Sequence, residues 1–204
     1  AELIEKCMPL SGKSIRIGVS GTPGVGKSTF IENLGMQLTK KHKIAVLAID
    51  PSSKISKGSI LGDKTRMVKL ANSKSAFIRP SPSQGQLGGI CSHTKDTITL
   101  CEAAGFNIIF IETVGVGQSE SMVASITDFF IYLTLAYNGD QLQFIKKGTL
   151  ELSDVIIINK SDQNKQKVKE TTIALKNTLG HMNYRKKQAV FACSALLNLN
   201  LDKI

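Results

Sequence analysis

The run DVIIIN, residues 154–159, has no polar face if it is extended, and the same holds for IAVLAID (44–50) and FNIIFIE (106–112). A strand apolar on both faces is stable only inside a sheet that is covered on both sides. Four further runs read as strands: SIRIGVS (14–20), AFIRP (76–80), DFFIYLTL (128–135) and QAVFACS (188–194). Helix-like segments lie between them, among them KSTFIENLGMQLTKKH (27–42), GGICSHTKDTITLCEAAG (88–105) and QKVKETTIALKNTLG (166–180). The alternation predicts an α/β fold, a mainly parallel central sheet with helices on both faces. Right-handed crossovers would bring the loops that follow the strands to one edge, where a ligand is expected.

Composition narrows the function classes. The chain has 204 residues, 42% of them hydrophobic and 21% charged, which suits one sizeable core and not two domains. No apolar run approaches the ~20 residues that cross a bilayer, so no membrane partner is expected. The N-terminal AELIEKCMPLSGKS lacks the basic-then-apolar build of a signal peptide. Cys7, Cys91, Cys101 and Cys193 are scattered without a C-x-x-C, which reads as reduced thiols in a cytoplasmic protein. A formal net charge of +10 invites a nucleic-acid reading, but the lysines are spread out and aromatics make up only 5% of the chain. No nucleic-acid partner is expected. His42, His93 and His181 are isolated and read as surface or packing residues. Met36 and Met122 read as core fill.

Within IRIGVSGTPGVGKSTF, residues 21–28 match G-x-x-x-x-G-K-S, after a strand and before a helix. That context is what a phosphate-binding loop requires. Gly21, Gly24 and Gly26 let the backbone curl so that its N–H groups, with those of Val25 and Thr29, point inward at a β-phosphate. Lys27 would neutralise β- and γ-oxygens, Ser28 would offer its hydroxyl to Mg²⁺, and the helix N-terminus would add partial positive charge.

A second motif closes the strand at 154–159, the N-K-x-D of Asn159, Lys160 and Asp162. Guanine presents N1–H and N2–H donors that one carboxylate accepts as a pair, and adenine has no such face. Asp162 is therefore expected to select GTP over ATP. Asn159 would bridge base and phosphate loop, and the Lys160 stem would lie over the ring. CSALL after the last strand resembles the short loop that meets guanine O6 with a backbone N–H, which makes Ser194, Ala195 and Leu196 candidates.

AVLAIDPSSKISKGSILGDKTRM (45–67) places Asp50 at a strand end and Asp63 in a loop beyond it. Residues 133–162 carry Gly139-Asp140, Gln143, Lys146 and Gly148 ahead of the base motif. Together with RPSPSQGQLGGI (79–90) and ETVGVGQSE (112–120), these segments closely resemble the MeaB/ArgK family, over nearly all of residues 14–196. Its members are GTPases associated with methylmalonyl-CoA mutase, also labelled lysine/arginine/ornithine (LAO) transport system kinases or ATPases. The resemblance implies a SIMIBI-type P-loop domain that binds GTP or GDP with Mg²⁺ and couples hydrolysis to a partner, here the cobalamin-dependent mutase. It implies that Ser28, Asp50, Asp63 and Glu112 surround the Mg²⁺, not all of them directly, and that Gly115 offers its N–H to the γ-phosphate.

Glu112 stands where such loops usually carry Asp, and Val116 cannot orient a water. Gln118 is the candidate for that task after rearrangement, so Lys27, Asp63, Glu112 and Gln118 form the expected catalytic set. Slow intrinsic turnover that rises with a partner is expected. Lys64 and Arg66 read as ion-pairing surface residues in preference to phosphate ligands. Residues 1–13 read as the remnant of an N-terminal helical segment and 14–204 as the GTPase domain. The C-terminal arm through which family members form homodimers is expected to be absent, which argues against that dimer here. Two alternatives remain: a transport-system kinase or ATPase, and a module that holds guanine nucleotide with little turnover.

Overall fold

A computed structural model describes residues 2–50, 66–82, 87–113, 119–136, 147–181 and 188–204. Among these, the seven expected strands all form: β1 (Ile15–Gly21), β2 (Ile44–Asp50), β3 (Ala76–Pro82), β4 (Ile108–Thr113), β5 (Phe129–Thr134), β6 (Val155–Ile158) and β7 (Ala189–Ala192). They make one sheet in the order β3-β2-β4-β1-β5-β6-β7. Every pairing is parallel, for example Val19 beside Glu112 on one side of β1 and beside Ile131 on the other. β4 returns between β2 and β1, and the chain then builds outward on the far side of β1. The direction of winding reverses there, which is where open α/β sheets place their ligand.

The double-sided apolar strands behave as their pattern demands. Ile44 and Val46 of β2 pack with Phe110, Val19 and Ile131 on one face. Ala45, Leu47 and Ile49 pack with Ile109, Ile111 and Phe130 on the other. The first face is covered by helix α2 (Lys27–Leu38) and the one-turn α3 (Val68–Ala71), through Phe30, Ile31 and Leu70. The second is covered by α4 (Leu87–Ala103) and α5 (Ser119–Ser125), through Ile98, Cys101 and Val123. Around β5 and β6 a third cluster joins Tyr132, Ile156 and Ile158 to Leu150 of α6 (Lys147–Leu152) and Leu175 of α7 (Lys165–His181). Met36 and Met122 pack against the first and second clusters.

Ahead of β1 lie α1 (Glu2–Cys7) and a 3₁₀ turn over Met8–Leu10, and a second 3₁₀ turn covers Leu201–Lys203. The lead into β1 is tied down by a buried carboxylate, Glu102 of α4, which accepts from Gly12 N–H and the Ser14 hydroxyl. Among the described residues no helix is long and apolar enough to cross a membrane. α2 ends at Leu38, short of the residue 42 expected from its lysines, because Thr39 already sits at its C-cap.

β1 comes close to β5 and α5 at Gly18. A Cβ built there would lie 2.6 Å from Phe130 Cδ2 and 2.9 Å from Val123 Cγ1. Phe130 is itself buried and has nowhere to move. Gly18→Ala is expected to destabilise the fold by about 1–3 kcal/mol despite the entropy that alanine removes from the unfolded chain. A urea midpoint unchanged from wild type would refute this account of the β1–β5 contact.

Candidate nucleotide site

The phosphate loop joins β1 to α2 through three glycines at positive φ: Gly21 (150°), Gly24 (77°) and Gly26 (97°). Two of them are also required by close approach. A Cβ on Gly21 would stand 2.4 Å from the Leu133 carbonyl oxygen, and one on Gly26 would stand 2.7 Å from Asn159 Nδ2. The tightest approaches to this loop thus come from β5 and from the residue that follows β6.

Lys27, at the start of α2, is only 8% exposed. Its Nζ donates to the Gly21 carbonyl at 2.7 Å and to that of Thr22 at 3.4 Å. Burial lowers its pKa below the ordinary lysine value, Glu112 pulls it back up, Arg66 lowers it again and Glu120 raises it slightly, leaving it lowered overall. The ammonium is thus under-compensated, a state that favours an incoming polyanion. Ser28 Oγ donates to Glu112 Oε1 at 3.1 Å. Lys27, Ser28, Thr29, Pro23, Gly24, Gly26, Glu112 and Arg66 line one cavity of about 540 Å³. Arg66, read from sequence as a surface ion-pairing residue, is exposed and also lines this cavity.

A hydroxyl and a carboxylate oxygen at hydrogen-bond distance, facing a cavity that also holds a lysine, make a hard-oxygen donor set suited to Mg²⁺. Among the described residues no group of three or more His, Cys, Asp or Glu converges on a possible metal position. Asp63, Gly115 and Gln118 of the expected set lie outside the described residues, as do Val116 and Lys64. Asp50 ends β2, and its backbone alone is described.

Asn159, 2% exposed, donates from Nδ2 to the Val25 carbonyl at 2.9 Å. Its Oδ1 accepts from Ala195 N–H at 3.0 Å and from the Cys193 thiol at 3.7 Å. Burial pushes the Cys193 pKa up to about 12, so the thiol keeps the proton it donates. Lys160 adopts φ 57° and donates from Nζ to the Gly24 carbonyl at 2.9 Å. The left-handed backbone at Lys160 turns the chain at the strand end, and Asp162 two residues on is exposed. Ser194 and Ala195 are buried, whereas Leu196 is 73% exposed. The expected phosphate and base motifs are therefore brought together by direct contact, Asn159 and Lys160 on the carbonyls of Val25 and Gly24.

Two polar groups of this region escaped the sequence reading. Asn33 of α2 is buried and donates to the Ala195 carbonyl at 2.8 Å. Glu120, also buried, accepts from Ser20 Oγ at 3.2 Å, and Ser20 Oγ in turn accepts from Thr113 Oγ1 at 2.9 Å. The available signal was a polar residue on an apolar stripe, since Asn33 stands one turn after Phe30.

A family model described as methylmalonyl Co-A mutase-associated GTPase MeaB matches residues 1–204. A probable GTPase of Mycobacterium tuberculosis is 58% identical over 162 residues, which cover 79% of this chain and 48% of that protein. The GTPase ArgK of Escherichia coli is 47% identical over 208 residues, covering 100% of this chain and 63% of its own length. A crystal structure titled LAO/AO transport system kinase superposes with a TM-score of 0.81 at 40% identity, covering 99% of this chain and 60% of that one. The chain spans about half the length of the first of these relatives and under two thirds of the others. With the phosphate loop, the strand-end Asn159 and the all-parallel sheet in place, the match places this chain in the MeaB family of methylmalonyl-CoA mutase-associated GTPases.

Proposed function

We propose that this chain binds and hydrolyses GTP with Mg²⁺ and acts as a GTPase chaperone for a cobalamin-dependent acyl-CoA mutase, methylmalonyl-CoA mutase. The observation that carries the nucleotide reading is the pair of contacts from the N-K-x-D segment onto the phosphate loop, Asn159 to Val25 and Lys160 to Gly24. A base held at Asp162 and a polyphosphate held at Lys27 would then belong to one ligand. The family description supports the mutase as partner.

In this reading, β- and γ-phosphate oxygens replace the Gly21 and Thr22 carbonyls as acceptors for Lys27 Nζ. The loop amides of Gly21 and of residues 24–29, at the start of α2, would supply further donors. Ser28 and Glu112 would hold the Mg²⁺, with Asp50 and Asp63 completing its surroundings; the metal would neutralise charge that develops on the transferring phosphoryl group. Gly115 N–H would meet the γ-phosphate. Glu112 keeps the Ser28 hydroxyl oriented even before ligand arrives. Arg66 adds a second positive charge to the cavity. Asp162 would accept guanine N1–H and N2–H, with the 194–196 loop at O6. With Val116 where a water-positioning glutamine would stand and Gln118 displaced from it, hydrolysis is slow until a partner reshapes the 114–118 loop.

The solved relative is described as a transport-system kinase, and a phosphotransferase that used ATP would need a base site indifferent to guanine. Asp162 speaks against that. Asp162→Asn is expected to cost about 2–5 kcal/mol of GDP affinity, thirtyfold or more, and to abolish preference for GDP over ADP. Unchanged selectivity in competition binding would remove Asp162 from the base site. Glu112→Gln keeps an acceptor for Ser28 but loses the charge, so the Mg²⁺ concentration at half-maximal turnover should rise about tenfold or more. A Mg²⁺ titration that overlays wild type would show that Glu112 serves the loop and not the metal. The central experiment is phosphate release from GTP, with ATP as control, in the presence and absence of methylmalonyl-CoA mutase. A slow, GTP-only rate that the mutase accelerates is the expected result. Tight GDP binding with no turnover under either condition would instead identify a guanine-nucleotide binding module.

A further inference from the structure

Ala195 is clamped from two sides. Its N–H is taken by Asn159 Oδ1 at 3.0 Å, and its carbonyl is taken by Asn33 Nδ2 at 2.8 Å. All three residues are buried, so neither bond is weakened by competing water. The second bond links the helix that carries Lys27 to a loop 162 residues further along the chain.

A trans peptide is planar, with its N–H pointing opposite to its C=O. The Ala195 carbonyl and the Leu196 N–H belong to the same peptide unit. Drawing the carbonyl toward α2 therefore turns the Leu196 N–H away from α2. The next amide, Leu197 N–H, is occupied by Ser194 Oγ at 3.3 Å. The Ser194–Leu199 bridge closes the loop at its base, and Asn33 holds the one carbonyl whose peptide unit carries the Leu196 N–H.

We propose that Asn33 is a positioning residue for purine selectivity: by holding the Ala195 carbonyl, it aims the Leu196 N–H at the acceptor on position 6 of the base. The proposal rests on the guanine reading above and deepens it. A 6-oxo purine is then recognised by a rigid donor instead of a mobile loop amide, and a 6-amino purine meets donor against donor. The readout of N2 by Asp162 is independent of Asn33. So is the phosphate cradle, whose amides do not bond to the Asn33 side chain.

The test is equilibrium competition binding to the full chain with GDP, IDP, 6-thio-GDP, ADP and pyrophosphate, for wild type, Asn33→Ala and Asn33→Asp. Loss of one buried hydrogen bond should weaken GDP and IDP alike, by about fivefold to tenfold in Asn33→Ala. The advantage of GDP over 6-thio-GDP should shrink toward unity, because sulfur is a poor acceptor that gains little from an aimed donor. The GDP/IDP ratio and pyrophosphate affinity should stay within about twofold of wild type. Asn33→Asp, nearly isosteric, sets a carboxylate oxygen against the carbonyl and should give the same pattern with a larger loss. Unchanged 6-position discrimination in both variants would overturn the proposal. Equal loss for pyrophosphate would overturn it too, because Asn33 would then serve only the packing of α2. A wild-type chain that fails to prefer GDP to ADP would refute the underlying guanine reading, an outcome visible without any variant.

Discussion

The side-chain amide of Asn159 is the joint on which the site depends. It sits at the end of β6 and satisfies the Val25 carbonyl, the Ala195 N–H and the Cys193 thiol at once. Left unpaired in so buried a place, those groups would each cost about 1–3 kcal/mol. The demand propagates into the sequence. Gly26 must be glycine both for its positive φ and because Asn159 Nδ2 leaves no room for a Cβ. Lys160 must turn left-handed to bring Asp162 round the strand end. The phosphate loop, the base motif and the loop after β7 are three separate sequence features that this one amide makes a single surface.

A second consequence of packing is the electrostatic tension at the phosphate end. Burial of Lys27 works against its charge while Glu112 works for it, and Arg66 stands in the same cavity. The loop carbonyls that Lys27 now holds are neutral and satisfy only its hydrogen bonds. A polyphosphate would satisfy the charge as well.

The fold was legible because its strands are apolar on both faces, and a run such as IIFI admits no other home than a covered sheet. The phosphate and base motifs were legible because their chemistry lies within eight residues or fewer. The short helices α3, α5 and α6 were not read. With four to seven residues each, they have too few turns for a periodicity, and packing against neighbours holds them. Asn33 and Glu120 were missed for a related reason. The partner of Asn33 lies 162 residues away and that of Glu120 lies 100 away, so the apolar stripe of α2 can mark Asn33 as out of place without naming its partner. Arg66 read as a surface cation and is exposed; its place on the cavity rim depends on the return of the chain toward β3, which no local pattern shows.

The hydrogen bonds that assemble the site span 84, 134, 136 and 162 residues of chain. Contacts of that separation cost the most loop-closure entropy and form late in folding. During synthesis the phosphate loop leaves the ribosome early, yet the base end is complete only once β7 and the loop after it have docked. On the proposed guanine reading, a nascent chain would carry an anion cradle before it could choose its nucleotide. Discrimination among purines would then arise only with β7 and the loop after it.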